Sequence, residues 1–134
     1  MDGRKPILCL DFDGVVHLYS TPWTYAHVVA DGPVPGAMDF IVRAVRSFRL
    51  NIYSSRSNQH GGIKAMQDFV RKHMLEHLKG SPIEVVEDIL LEIEWPIHKP
   101  PAQVTIDDRA WRFEGPGHWP MIDALLAFKP WNKQ

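Results

Sequence analysis

ILCLDFDGVV, residues 7–16, joins an unbroken apolar run to two aspartates and a glycine. A short, continuous run such as Ile7 to Leu10 suits a central strand of a parallel sheet, buried on both faces. The run ends at Asp11, and Gly14 follows as a turn residue. Cys9, inside the strand, is expected to be buried and inert.

Beyond this strand the chain alternates. Residues 17–35 hold Pro22, Gly32, Pro33 and Pro35 and read as an irregular surface loop. In AMDFIVRAVRSF, after Gly36, the residues Met38, Ile41, Val42, Val45 and Phe48 make one helical stripe. Leu50, Ile52 and Tyr53 predict a second strand that ends at Ser54 and Ser55. Gly61 and Gly62 precede an amphipathic helix carrying Ile63, Met66, Phe69, Val70, Met74 and Leu78, closed by Gly80. Ser81, Pro82 and Glu84 read as N-cap, first helical residue and capping-box partner of a helix over 82–93, with Val85 and Val86 open to a short strand instead. Three prolines keep residues 95–101 extended. Val104 to Ile106 predict a third strand, ending at Asp107 and Asp108, and a last short helix covers 120–128.

Strand–helix alternation predicts an α/β fold, a three-layer, doubly wound, Rossmann-like parallel sheet built as one domain over residues 1–134. In such sheets ligands bind beyond the carboxyl ends of the strands. The polar clusters Asp11 and Asp13, Ser54 to Arg56, and Asp107 to Arg109 all fall at those ends. Carboxylates gathered at one sheet edge repel each other and call for a counter-cation. Hard oxygen ligands suit Mg²⁺, which meets phosphate oxygens directly. A phosphoryl group also needs donors and a positive side chain, which Ser54 and Lys99 can supply. A carboxylate can then act as nucleophile and split hydrolysis into two steps.

The ordered set of motifs resembles the haloacid dehalogenase superfamily. ILCLDFDGVV is similar to its first motif, LNIYSSR to its second, Lys99 to the third-motif lysine and VTIDD to the acidic fourth. Together they span residues 7–108, and in this order they are far more specific than a lone Asp-x-Asp. The resemblance implies Asp11 as nucleophile and metal ligand. It implies Asp13 as general acid/base that also lends its backbone carbonyl to the metal. Ser54 would hold a phosphoryl oxygen, with Ser55 the competing candidate, and Lys99 would steady the nucleophile and the transferred group. Asp107 would ligate Mg²⁺, and Asp108 would be a further ligand or a partner behind it. Family members with other chemistry generally lack an acid two residues after the nucleophile, so Asp13 favours a phosphatase. The intervals between motifs leave no space for a cap domain. The family's third strand has no evident counterpart between the second and third motifs. The C-terminal segment, DDRAWRFEGPGHWP and then ALLAFKPWN, is similar to the end of small proteins of this type from bacteria and phages and carries no substrate information.

Other residues are weighed against plainer roles. Arg56 and Arg109 would reach a phosphate from the strand ends, or pair with surface carboxylates. His73 and His77 have the i, i+4 spacing of a zinc pair but no third ligand, so a solvated helix face is expected. His17, His60 and His98 lie near the motifs. Trp23, Tyr25, Trp111 and Trp119 are expected to pack rather than stack on a base.

The 134 residues carry 15 Lys and Arg against 16 Asp and Glu, a formal net charge of -1. That balance argues against a strongly basic nucleic-acid-binding surface, while leaving room for a local basic patch, and nucleic acid is expected only as a substrate. One cysteine cannot form an internal disulfide, no apolar run spans a bilayer, and acidic residues arrive too early for a signal peptide. A cytoplasmic enzyme acting on a phosphorylated small molecule or macromolecule is the resulting expectation. The rival readings are a receiver-like module that accepts phosphate and a metal-dependent nuclease.

Overall fold

In a computed structural model, which describes residues 5–133, the opening apolar run forms strand β1, Ile7–Leu10. The other strands are β2, Arg49–Ile52, β3, Ile93–Glu94, and β4, Val104–Ile106. All pair in parallel, in the order β3-β2-β1-β4. The chain therefore steps outward from β1 through β2 to β3, then returns to the other side of β1 with β4. That reversal puts the ends of β1 and β4 at the topological switch point of the sheet, where parallel α/β sheets open a crevice.

Helices α1, Ala37–Ser47, and α2, Gly62–His77, form where the 3.6-residue periodicity predicts them. Alternate strand residues share a face. Leu8, Leu10, Leu50, Ile52 and Ile93 project from one face into a single cluster. Ile41 and Val45 of α1, Met66, Val70 and Met74 of α2, and Val86 of a third helix, α3, Ile83–Leu91, fill it. The opposite face carries Cys9 and Asn51, both buried, with Glu94 and Thr105 in register beside them. The crossover from β3 to β4 contains no helix among its residues 95–103. Lys99 in that extended segment lies near enough for its charge to act on the Cys9 thiol.

Two local expectations are corrected. Ser81 does not cap α3: Pro82 itself occupies the N-cap, with extended backbone, and no side chain caps the helix. Ser81 is one residue too far out, and its N–H instead donates to the Leu78 carbonyl, closing the end of α2. Val85 and Val86 are helical, and the third strand is the two-residue β3 at Ile93–Glu94, which the predicted helix over 82–93 partly overran. Two residues carry no periodicity. What fixes this strand is register: Ile93 pairs with Leu50, and Glu94 accepts from the Arg49 guanidinium at 2.9 and 3.0 Å.

The last helix, α4, is Ile122–Ala127, shorter than the predicted 120–128, and buries none of its residues. Trp119, Ile122 and Leu126 around it are all more than two-thirds exposed. No helix among the described residues is long and apolar enough to cross a membrane.

Gly62, at the start of α2, is fixed by a close approach. A Cβ there would lie 1.9 Å from the Arg56 carbonyl oxygen, a backbone atom that has little freedom to retreat. Gly62→Ala is expected to cost about 1–3 kcal/mol in chemical denaturation through this overpacking. An unchanged unfolding midpoint would contradict the contact.

Candidate active site

The hydrogen-bond ladder delivers three acids to one point. Leu10 pairs with Ile106, and the Asp11 N–H donates to the Ile106 carbonyl at 3.0 Å, so the chain leaves β1 and β4 side by side. Asp11, Asp107 and Asp108 each present an oxygen, and these oxygens lie within 4.8 Å of one another. Asp107 is exposed and accepts the Arg109 N–H at 2.9 Å. Asp108 is different: its side chain is only 2 % exposed, and neither of its buried carboxylate oxygens has a hydrogen-bond donor.

An ionised carboxylate in that setting is costly. Burial, then the charge of Asp107, push the Asp11 carboxyl up to about 8, and burial raises Asp108 as well. Asp11 accepts the Phe12 N–H, so Asp108 is the carboxylate left without a donor, and a proton shared with Asp11 would relieve it. Gly14 makes the packing feasible. It has φ +85°, and a Cβ on it would sit 2.2 Å from Asp108 Oδ2. The close approach of Asp108 thus leaves no space for a side chain at residue 14. An oxygen-only donor set fits a hard divalent cation such as Mg²⁺. Its buried carboxylate, Asp108, has no hydrogen-bond donor among the described residues, and the Arg109 Nε charge lies 4.0 Å from Oδ2.

Asp13 stands apart from this cluster. Val15, Val16 and His17 turn back to donate their N–H groups to the Phe12 carbonyl, bringing His17 beside Asp13. His17 Nδ1 lies 2.9 Å from Asp13 Oδ1. Arg56, 1 % exposed, donates from Nε to Oδ2 at 2.8 Å and from Nη2 to Oδ1 at 3.0 Å. Burial alone would raise the Asp13 carboxyl. The bonds from His17 and Arg56, with the Arg56 charge, outweigh it, and the net shift is downward. Of the two roles open to Arg56, phosphate binding or pairing with a carboxylate, the structure shows the pairing, with a buried acid rather than a surface one. Its guanidinium bonds Asp13 and, through Nη1, the carbonyls of Ala26 and Val28 at 2.8 Å each.

The remaining candidates are positioned more loosely. Ser54 ends its strand next to β1, where the Tyr53 N–H donates to the Leu10 carbonyl. Its buried hydroxyl accepts the Arg56 N–H at 3.0 Å and touches Met66 Sδ. Among the described residues it makes no hydrogen bond to the acidic cluster. Ser55 is exposed, its carbonyl accepting from Gln59 Nε2. Lys99 is exposed before β4, with no hydrogen bond to Asp11 among the described residues. His73, expected on a solvated face, is half-buried against the Phe69 ring at 4.5 Å, and burial lowers its pKa. Trp111 packs edge-on to Phe128, and Trp23 lies over the Arg56 guanidinium at 4.7 Å.

Two participants escaped the sequence reading. Trp131 donates its indole N–H to the Gly14 carbonyl at 2.7 Å, tying residue 131 to the turn after β1. Asp31 donates its backbone N–H to His17 Nε2 at 3.0 Å. Neither contact has a local sequence signal, since the partners lie 117 and 14 residues apart. Comparison with family models, with curated proteins and with solved structures finds no match to this chain.

Proposed function

We propose that this chain is a capless, Mg²⁺-dependent phosphomonoesterase of haloacid dehalogenase type that works through an aspartyl-phosphate on Asp11. The observation that carries the reading is the pair of donorless, buried Asp108 oxygens beside Asp11 and Asp107 at the switch point. Those three residues would hold the metal, which when bound offsets their mutual repulsion and draws charge from the phosphoryl group. Support for the capless form comes from the intervals: one loop, α1 and β2 lie between Asp13 and Ser54, while α2, α3 and β3 lie between Ser54 and Lys99.

In the first half-reaction a carboxylate oxygen of Asp11 attacks phosphorus as the bond to the leaving oxygen breaks. In the second, Asp13 takes a proton from water, whose oxygen attacks phosphorus and releases Asp11. Asp13 then carries the proton for the next leaving group. Its depressed pKa suits the second half best, so aryl phosphates, whose leaving anions need little protonation, are the substrates of choice for detection. Ser54, Ser55 and Lys99 remain the proposed phosphate-binding groups.

The test is a panel of phosphomonoesters with and without Mg²⁺, followed by trapping of the phospho-enzyme with a fluoride mimic of phosphate. Chelation should silence turnover and Mg²⁺ should restore it; full activity in excess chelator would sink the reading. A pH dependence follows from Asp11, which must be ionised to attack. At low Mg²⁺ the rate should climb as pH rises through about 8, and saturating Mg²⁺ should move that limb to lower pH. Profiles of kcat/KM at several Mg²⁺ concentrations check this, and a limb insensitive to the ion would count against it.

A further inference from the structure

We infer that His17 and Arg56 are positioning residues that fix the Asp13 carboxylate and select Oδ2 as the oxygen that exchanges the proton. This rests on the phosphatase reading above. The Asp31 backbone N–H donates to His17 Nε2 at 3.0 Å, so that nitrogen has no proton and Nδ1 has one. His17 is therefore a donor to Asp13 Oδ1, which already receives Arg56 Nη2. Oδ2 receives only Arg56 Nε and keeps a lone pair for water. Both clamping side chains are 1 % exposed, leaving Asp13 as the wetter member of the group, its side chain 13 % exposed.

The clamp also has an outer attachment. The carbonyls of Ala26 and Val28 hold the other end of the guanidinium, and Asp31 holds the other side of the imidazole. The loop over residues 18–31 is thereby fastened to the same two side chains that orient the acid/base. A rotation of the carboxylate out of this fork would break three hydrogen bonds at once.

Two isosteres separate the positioning role from a merely structural one. In His17→Asn the amide nitrogen takes the place of Nδ1 and still donates to Asp13. In His17→Gln the side chain reaches the place of Nε2 and keeps only the bond to Asp31. With a generic aryl phosphate and Mg²⁺, Gln should lose about 10- to 100-fold in kcat with KM changed less than about threefold, while Asn stays within a few-fold of wild type. Arg56→Lys, which keeps the charge but not the fork, should also fall in kcat. The reverse order of Asn and Gln, or unchanged kcat in Gln and Lys, would overturn the assignment. Independently of activity, ¹⁵N NMR of the wild-type imidazole should find Nδ1 protonated and Nε2 bare; the opposite tautomer would overturn it too. A wild type inert toward the phosphate would remove the phosphatase reading and this one with it. An active wild type with indifferent variants would remove this one alone.

Discussion

Asp11→Asn is expected to lower turnover of an aryl phosphate by on the order of 10⁴-fold or more and, at the same time, to raise the melting temperature of the chelated protein. The first effect would follow from loss of the proposed nucleophile. The second follows from the cluster itself. Burial and the Asp107 charge raise the Asp11 carboxyl from 3.8 to about 8, so the folded chain binds a proton there that the unfolded chain has released. Stability of the wild type then declines as pH climbs between those values, by at most about 1.4 kcal/mol per pH unit. Asparagine, neutral and nearly isosteric, does not titrate. The gap in melting temperature between variant and wild type should be widest near pH 8, shrink toward pH 5, and narrow again when Mg²⁺ is added to the wild type. Thermal melts at both pH values, with chelator and with Mg²⁺, measure it. An Asn variant no more stable than wild type at pH 8 would mean that the acids do not repel as their spacing requires.

Arg56→Ala carries the largest expected loss of stability, about 3–5 kcal/mol by urea denaturation. Truncation leaves the Asp13 carboxylate with one donor in place of three. It also strips the carbonyls of Ala26 and Val28 of the Arg56 donor. Buried groups left in that condition keep their desolvation cost without the compensating bonds. The Lys64–Asp68 pair is a control, since both side chains are well over half exposed and their i, i+4 contact at 2.9 Å is screened by water. Lys64→Ala should be nearly silent. If Arg56→Ala were equally mild, the guanidinium would not be the keystone of the turn after β2.

The parts of this molecule legible from sequence are those with local repetition. The stripe Met38, Ile41, Val45 fixes α1, and the stripe Met66, Phe69, Val70, Met74 fixes α2, because one buried face recurs every turn. The unbroken run at Ile7–Leu10 and the short Val104–Ile106 segment read as strands, and the acids after them fall at neighbouring ends. The partners of those acids were not legible. Arg56 follows a strand end, where either a phosphate or a carboxylate suits it, and nothing local identifies its target as a carboxylate 43 residues away. Nothing near Ser81 reveals that Pro82 will sit outside the helix rather than in its first turn. Ile93–Glu94 is a strand only because Leu50 and Asn51 are already in place beside it. Long-range pairing, not local preference, decided Arg56 and β3.

Because the sheet is wholly parallel, it contains no hairpin that could form early and serve as a template. The pairing of Leu10 with Ile106 closes a loop containing most of the described chain. Loop closure on that scale places the chain among slow, high-contact-order folders, with refolding in the millisecond-to-second range. It also sets an order of events: Asp11 meets Asp107 and Asp108 only when β4 docks, after β1, β2 and α1 can already have assembled. A divalent ion added during refolding should therefore slow unfolding more than it speeds folding, since its ligands come together last.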